Sequence, residues 1–373
     1  MTVAEKLAPD GPKKLLSIDG GGIRGLIAVE MLARMEDMLR EELGRGEDFV
    51  LADYFDYVAG TSTGAIIATC LALGMSAETV RRFYLENGEE MFDKAGLLRR
   101  FRYRYEDERL ADRMREEFGS DTTLGSERLR TLLLVVMRNA TTDSPWPLSN
   151  NPRAKYNLPD RTFSNLDIPL WKIVRGSTAA PTFFPPEVVD IGGGQTFIFV
   201  DGGVTMYNNP AFQLFLMATV EPYGLSWPTA EDKMLLVSLG TGTNPRANED
   251  LRPEEMNLLY NASSIPSALM AAALNEQDLL CRVFGRSLVG DPLDREVGDL
   301  RDARGPVNPK LFTYLRYNAE LSAEGLGSLG LSDIRPRDVQ RLDSVEHVHE
   351  LQRVGQAVAA KVRPEHFQGF LGT

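Results

Sequence analysis

The sequence contains few cysteines and few histidines. Cys70 and Cys281 are the only two cysteines among 373 residues, a frequency that favours a reducing compartment over a disulfide framework. The three histidines, His347, His349 and His366, all lie near the C terminus in a charged segment. We expect them on the surface of a polar helix, which disfavours a mechanism that depends on histidine.

Long apolar runs and an excess of positive charge are also absent. The longest apolar stretch, residues 65–75, is too short to cross a bilayer, and the first residues lack the apolar core of a signal peptide. The formal net charge is −12, which argues against a nucleic-acid polymer as a partner because such binding requires a basic face. We therefore expect a cytoplasmic protein whose membrane contact, if any, is peripheral.

Alternating patterns along the chain predict an α/β protein. Compact apolar runs predict strands at residues 14–19, 54–59, 132–137, 172–174, 196–200 and 233–239. Helical spacing or buried apolar segments predict helices at residues 26–43, 65–73, 263–284 and 338–362. Strands that alternate with helices are typical of a parallel sheet covered by helices on both faces.

The chain shows no linker that would divide it. We expect one domain over residues 1–373, with the motifs in a core at about 14–243 and a mainly helical C-terminal extension at about 244–373. Residues 141–165 are rich in Pro, Asn, Ser and Thr, which predicts a long loop.

The pentapeptide GTSTG at residues 60–64 lies between a predicted strand and a predicted helix. A GxSxG sequence in that context forms a sharp elbow that exposes the serine at a helix N terminus, where free N–H groups favour negative charge. The string alone is a weak signal and is compatible with a structural turn. In its strand–helix context we interpret Ser62 as a nucleophile.

A second glycine-rich loop, DGGGIRG, follows the first predicted strand and precedes a helix. Backbone N–H groups in such a loop stabilise the oxyanion of acyl transfer, and glycines let the backbone approach a ligand closely. We predict an oxyanion hole formed by Gly20, Gly21, Gly22 and the N–H that follows the nucleophile, which is that of Thr63. A phosphate-binding loop is the alternative, although the P-loop ending and the dinucleotide spacing are missing.

The third motif, DGG, begins at Asp201 directly after the predicted strand at 196–200. A carboxylate at a strand end can accept the Ser62 proton if burial raises its pKa. Taken alone, a plain Asp-Gly turn is the better interpretation of this string. The sequence MYNNP at residues 206–210 predicts a rigid turn whose asparagine amides orient Asp201.

In this order, DGGGIRG, GTSTG and DGG resemble the patatin-like phospholipase family. Two further blocks share the resemblance, GSTAAPTFFP at 176–185 and LVSLGTG at 236–242, so that it covers about residues 14–243. The resemblance implies a three-layer α/β/α sandwich around a central, mostly parallel sheet. It also implies that Ser62 is the nucleophile and Asp201 its base, and that acyl esters of lipids are hydrolysed without a metal ion or other cofactor.

We therefore predict a lipid acyl hydrolase of the phospholipase A, lysophospholipase or esterase type that works through an acyl-enzyme. Its partner is a lipid or acyl-ester substrate, and activation by a small molecule or a protein is left open. One alternative is a histidine-dependent serine esterase, since the chain order Ser…Asp…His also occurs in α/β-hydrolases. The other is a nucleotide-binding or phosphotransfer protein that uses the glycine-rich loops.

Three side chains and one segment are candidates for contact with the substrate or a membrane. Phe183 and Phe184 either line an acyl pocket or belong to the core. Arg24 steadies the glycine-rich loop, contacts an anionic head group or is an ordinary exposed helix residue. Residues 95–105 interleave aromatic residues with arginines, which is typical of peripheral contact with anionic lipid. A solvated segment that pairs with the following acidic run is the alternative.

Overall fold

The computed structural model describes residues 2–8, 10–92, 104–159, 163–181, 184–191, 194–244, 252, 258–301 and 303–372. The strands in these ranges are β1 (Lys13–Ile18), β2 (Tyr57–Thr61), β3 (Leu132–Asn139), β4 (Ser144–Ser149), β5 (Glu187–Asp190), β6 (Thr196–Asp201), β7 (Met234–Leu239), β8 (Arg286–Val289) and β9 (Thr313–Tyr317). The helices are α1 (Val3–Lys6), α2 (Gly25–Glu42), α3 (Leu51–Tyr54), α4 (Thr63–Ala72), α5 (Ala77–Phe92), α6 (Arg104–Phe118), α7 (Leu170–Ser177), α8 (Ala211–Thr219), α9 (Leu258–Phe284), α10 (Ala323–Ser328), α11 (Pro336–Val339) and α12 (Val348–Ala359).

All nine of these strands belong to one sheet. Its order is β5-β6-β3-β2-β1-β7-β9-β8, and β4 pairs with β3 outside this path. The six strands β1, β2, β3, β7, β8 and β9 run parallel, whereas β4, β5 and β6 are joined through antiparallel pairs. The predicted mostly parallel sheet is therefore confirmed.

Successive residues of the central strands face opposite layers. Leu16 and Val58 belong to a large apolar cluster with α2, α4 and α12, while Leu15 and Tyr57 belong to a second cluster with α8. This alternation follows from the two-residue period of a strand. Because both faces are covered, the strands are apolar throughout and the architecture is the expected three-layer α/β/α sandwich.

Three predictions about local structure were wrong. Residues 172–174 lie in α7, because Leu170, Ile173 and Val174 repeat at helical spacing and are buried together. Tyr54 ends the short helix α3 and does not begin a strand. The predicted loop at 141–165 contains β4, which pairs with β3 along its whole length.

The region after residue 244 carries helices, as expected, and also two strands of the central sheet. β9 pairs with β7, and β8 pairs with β9 at the sheet edge. Within the described ranges, no helix combines the length and the apolarity that a bilayer span needs.

A buried ion pair joins this C-terminal region to the first strand. Arg316, on β9, donates from its two terminal nitrogens to Asp19 at 3.0 and 2.6 Å, and both residues are inaccessible to solvent or nearly so. Nearby, Asp278 and Arg282 form a second buried bidentate pair. A buried charge that loses its partner is strongly destabilising, so Asp19, the first residue of the DGGGIRG loop, depends on Arg316.

We predict that Arg316→Met lowers the free energy of unfolding by about 3–5 kcal/mol, because it strands the Asp19 carboxylate in the interior. Urea denaturation followed by tryptophan fluorescence measures the change. Arg353→Met is the matched control, since Arg353 pairs with Asp333 on the surface and exposed pairs contribute little. Equal stability of the two variants would show that the buried pair does not hold the fold.

Candidate active site

Ser62 occupies a sharp turn between β2 and α4. Its backbone has φ 55° and ψ −125°, a positive φ that is rare outside glycine and indicates stored strain. A Cβ on Gly60 would overlap the carbonyl of Gly64, and a Cβ on Gly64 would overlap the carbonyl of Ile18. The two glycines of GTSTG therefore let the chain reverse closely enough to project the serine from the turn, as the sequence predicts.

The Asp201 carboxylate accepts a hydrogen bond directly from the Ser62 hydroxyl. The distance from Ser62 Oγ to Asp201 Oδ2 is 2.7 Å. β2 and β6 lie along the same edge of β3, since β4 occupies the other edge, and they meet end to end where Thr61 pairs with Val136 and Asp201 with Met137. The sequence prediction that the two residues lie close is consistent with this geometry, although β6 runs antiparallel to β3.

Burial sets the electrostatics of Asp201. The residue is 4% exposed, and removal from water raises the pKa of its carboxyl to about 6, while hydrogen bonds from Ser62 and Gly203 oppose the shift. The Gly203 N–H donates to Oδ1 at 2.6 Å. A carboxylate with this pKa is mostly ionised at pH 7 and is basic enough to take a proton.

A backbone N–H group orients the Asp201 carboxylate. The asparagine amides that the sequence predicts for this role make no hydrogen bond to it among the described residues. Asn209 accepts from the Ala211 N–H at 3.0 Å, and the Asn208 side chain lies against Gly20 and Gly203. Instead, the Gly203 N–H, in the 3-10 turn that begins at Gly202, donates to the aspartate.

Ser177 is a supporting residue that the sequence analysis missed. Its hydroxyl accepts from the Ser62 N–H at 3.0 Å and donates to the carbonyl of Val136 at 2.6 Å. It thus ties the strained turn to β3. Ser177 stands in the GSTAAPTFFP block, but only the packing of α7 against β3 reveals what it contacts.

The DGGGIRG loop lies beside Ser62, and its N–H groups are not equivalent. The Gly20 N–H already donates to the carbonyl of Asn208 at 3.0 Å. No acceptor for the N–H groups of Gly21, Gly22 or Thr63 is found among the described residues. The backbone donors free to meet a ligand are therefore those three, and Gly20 supplies space, because a Cβ there would approach Ser62.

Thr241, from the LVSLGTG block, holds this loop from the other side. Its hydroxyl donates to the Gly20 carbonyl at 2.7 Å, and a Cβ on Gly21 would overlap it. The Leu342 carbonyl accepts from the Ile23 N–H at 3.0 Å. Loops after β1, β2 and β7 therefore converge with the end of β6 on one site.

Arg24 and Phe184 are the other individually predicted contact residues that the structure describes. Arg24 is half-buried and donates to the Gln340 carbonyl at 3.0 Å; burial lowers its pKa to about 10. This placement fits the role of steadying the loop. Phe184 is half-buried at the edge of the core, with the Arg175 guanidinium 5.5 Å from its ring centre. Phe183 and most of the aromatic and arginine-rich segment at 95–105 lie outside the described residues.

The histidines have other neighbours. His347 is within 3.7 Å of both Asp338 and Glu350, and His349 is exposed on α12. His366 is half-buried, bonded through Nδ1 to the Tyr317 hydroxyl at 2.8 Å, so for this residue the expected surface position was wrong.

Comparison with known proteins identifies the family. The sequence model of patatin-like phospholipases matches residues 16–215, more than half of the chain and the segment that contains Asp19, Ser62 and Asp201. The chain belongs to the patatin-like phospholipase family. The resemblance drawn from its motifs is thereby confirmed.

Individual sequences that are similar to this chain include patatins of a plant. Patatin-15 from Solanum tuberosum is 32% identical over 257 residues, which are 65% of this chain and 63% of that protein. Patatin-T5 from the same plant is 31% identical over 309 residues, 74% of this chain and 77% of the relative. The alignment thus spans less than two thirds of Patatin-15. Among solved structures, VipD from Legionella pneumophila aligns at 15% identity with a TM-score of 0.35, over 92% of this chain and 67% of VipD.

The elbow generates a prediction about stability. We expect Gly64→Ala to lower the free energy of unfolding by about 1–3 kcal/mol, because the new methyl group meets the rigid carbonyl of Ile18. Gly369→Ala is the control, since a Cβ at Gly369 meets no atom within 4 Å. Urea denaturation measures the free energy of unfolding of both variants. An unchanged value for Gly64→Ala would show that the turn accommodates the methyl group without loss of stability.

Proposed function

We propose that this patatin-like protein is a serine acyl hydrolase that cleaves lipid or other carboxylic acyl esters through Ser62 and Asp201. The observation that carries the proposal is the direct 2.7 Å hydrogen bond from the Ser62 hydroxyl to the Asp201 carboxylate. A serine hydroxyl requires an adjacent base to act as a nucleophile. Here the carboxylate itself is that base.

The first step transfers the acyl group to the enzyme. Asp201 Oδ2 takes the Ser62 proton while Oγ attacks the ester carbonyl carbon, and a tetrahedral oxyanion forms. Collapse of this intermediate expels the alcohol, which receives the proton from Asp201. The products of the step are the free alcohol and an acyl ester on Ser62.

The oxyanion is stabilised by preorganised N–H groups. The donors are the N–H groups of Thr63, Gly21 and Gly22, which have no other acceptor among the described residues. Thr63 opens α4, so the helix N terminus adds favourable electrostatic potential. Donors fixed in advance need no reorganisation in the transition state. Of the glycines assigned to the oxyanion hole from the sequence, Gly20 acts by leaving room.

The second step restores the enzyme. Asp201 removes a proton from a water molecule, whose oxygen attacks the acyl carbon, and the same N–H groups hold the second oxyanion. Departure of Ser62 Oγ, which regains its proton from Asp201, releases the carboxylic acid. The cycle moves one proton at a time among the oxygens of Ser62, Asp201, the departing alcohol and the incoming water, and its catalytic groups all belong to this chain.

The family supports esters of lipids as the substrate class. The matching family is described as patatin-like phospholipase, and the GTSTG elbow, the glycine-rich loop and the aspartate all lie within the matched segment.

A histidine-dependent esterase is disfavoured because the direct Ser62–Asp201 hydrogen bond leaves no room for an imidazole between the two side chains. We further propose that the protein acts in the cytoplasm and that any contact with membranes is peripheral.

We predict that Ser62→Ala abolishes ester hydrolysis and that Asp201→Asn lowers kcat/KM by about 10²–10⁴-fold, the usual contribution of a general base. A fluorogenic short-chain ester and phospholipid vesicles serve as the two substrates. Ser332→Ala and Asp48→Asn are matched controls on exposed positions and should behave as wild type. A fluorophosphonate probe should label the wild type and not Ser62→Ala.

The double variant His347→Ala/His349→Ala separates this mechanism from a triad. It should keep wild-type turnover, because neither imidazole contacts Ser62 or Asp201. Loss of turnover in a folded double variant would refute the two-residue mechanism. Magnesium-dependent nucleotide hydrolysis without fluorophosphonate labelling would refute the whole proposal in favour of a phosphate-binding function.

The pKa of Asp201 predicts the pH dependence of activity. The base must be ionised to accept a proton, and burial raises its pKa to about 6. We therefore expect kcat/KM to be constant at alkaline pH, to be half-maximal near pH 6 and to fall about tenfold per pH unit below that. A profile measured from pH 4.5 to 8.5 checks this. A midpoint near pH 4 would mean that Asp201 is not desolvated in solution.

A further inference from the structure

A cavity of about 400 Å³ lies at the carboxyl ends of β8 and β9. In the strand order, β9 is three positions from β2, which places the cavity about 14 Å along the same sheet edge from Ser62 at the usual strand spacing. Open α/β sheets bind ligands outside the carboxyl ends of their strands. The lining includes neither Ser62 nor Asp201 nor the glycine loop, so this cavity is distinct from the candidate active site.

The charged lining of the cavity is mainly basic. It comprises Arg301, Arg316, Lys361 and Arg363 against a single carboxylate, that of Asp291. The chain as a whole carries a net charge of −12, so this local excess of cations is opposite in sign to the average surface. Clefts lined by one sign of charge concentrate ligands of the other sign.

Three of these cations have either no partner among the described residues or contacts that a ligand can replace. Arg363 makes no ion pair or hydrogen bond through its guanidinium within the described part of the chain. Lys361 lies 3.4 Å from Asp291. Arg301 lies 3.2 Å from Asp299 and also donates to the Gly290 carbonyl at 3.2 Å. In both pairs the side chains are 41–57% exposed, and exposed ion pairs contribute little to stability.

The fourth cation is held in place. The two terminal nitrogens of Arg316 donate to Asp19 and Ser238. Its Nε is buried and has no hydrogen-bond partner among the described residues. The Asp19 carboxylate compensates its charge, so the positive charge available to a ligand comes from the other three cations. The remaining lining includes Leu288, Val289 and the Tyr317 ring, which can contact carbon atoms.

We propose that this cavity binds the phosphate monoester of a small organic molecule. Two guanidinium groups and one ammonium group match the charge and the three terminal oxygens of a phosphate dianion, which guanidinium groups bind in bidentate fashion. The volume lies in the range of small-molecule sites and exceeds what a phosphate group alone would fill. The apolar side chains receive the organic part.

Isothermal titration calorimetry on the full-length protein tests the proposal, with phenyl phosphate, inorganic phosphate and phenol as probes. Phenyl phosphate should bind saturably at one site, inorganic phosphate more weakly and phenol not at all. The double variant Lys361→Glu/Arg363→Glu should weaken binding of phenyl phosphate at least tenfold. Arg45→Glu, a charge reversal at an exposed position, should leave it unchanged. Since no hydrolysis is measured, the result is independent of the Ser62–Asp201 mechanism.

Vesicle sedimentation distinguishes a soluble ligand from a lipid head group. Vesicles of phosphatidylcholine with and without phosphatidic acid present the same monoester on a membrane. Binding to phosphatidic acid that is lost in the Lys361→Glu/Arg363→Glu variant, without binding of phenyl phosphate, would assign the site to a lipid head group. Failure of both probes, or equal binding by the wild type and the double variant, would overturn the proposal.

Discussion

The hydrogen bond between Ser62 and Asp201 depends on two strands that meet end to end. β2 and β6 occupy the same edge of β3 and run toward each other, so Thr61 and Asp201 pair with adjacent residues of β3. This arrangement brings together side chains 139 positions apart in the chain. Because both strands pair with β3, the sheet itself sets the distance between the Ser62 hydroxyl and the Asp201 carboxylate.

Two buried aspartates at this edge show how their surroundings divide their roles. Asp19 accepts from the Arg316 guanidinium in a bidentate pair, which opposes the rise in its pKa that burial causes. Asp201 faces a hydroxyl and one N–H group, and burial raises its pKa to about 6. The ion pair of Asp19 holds the glycine loop in place. Asp201 contacts a hydroxyl instead, with which it can exchange a proton. Burial raises the pKa of both carboxyl groups, so the hydrogen-bond partner, a guanidinium or a hydroxyl, is what distinguishes them.

The parts of this structure that could be predicted from sequence are those with a local cause. The elbow at Ser62 follows from glycines that permit a close reversal, and the β1, α2 and α4 positions follow from apolar runs bounded by glycine. Pairing between distant segments has no local signal. The direction of β6 and the strand β4 arise from which strands lie beside β3, and the contact of Ser177 with Ser62 arises from the packing of α7 against β3. Residues 172–174 were mistaken because an apolar run of that length is compatible with a strand or a helix.

The C-terminal region, which carries none of the catalytic motifs, stabilises the segment that carries them. Arg316, Gln340 and Leu342 contact the glycine loop or the aspartate that opens it, and β8 and β9 extend the sheet on that side. All of these lie beyond residue 215, where the family match ends. The proposed oxyanion donors would therefore lose their fixed position if this region were removed, even though every motif residue remained. A single domain over residues 1–373 stays a prediction, and these contacts are the physical reason to expect that the C-terminal region cannot be separated from the site.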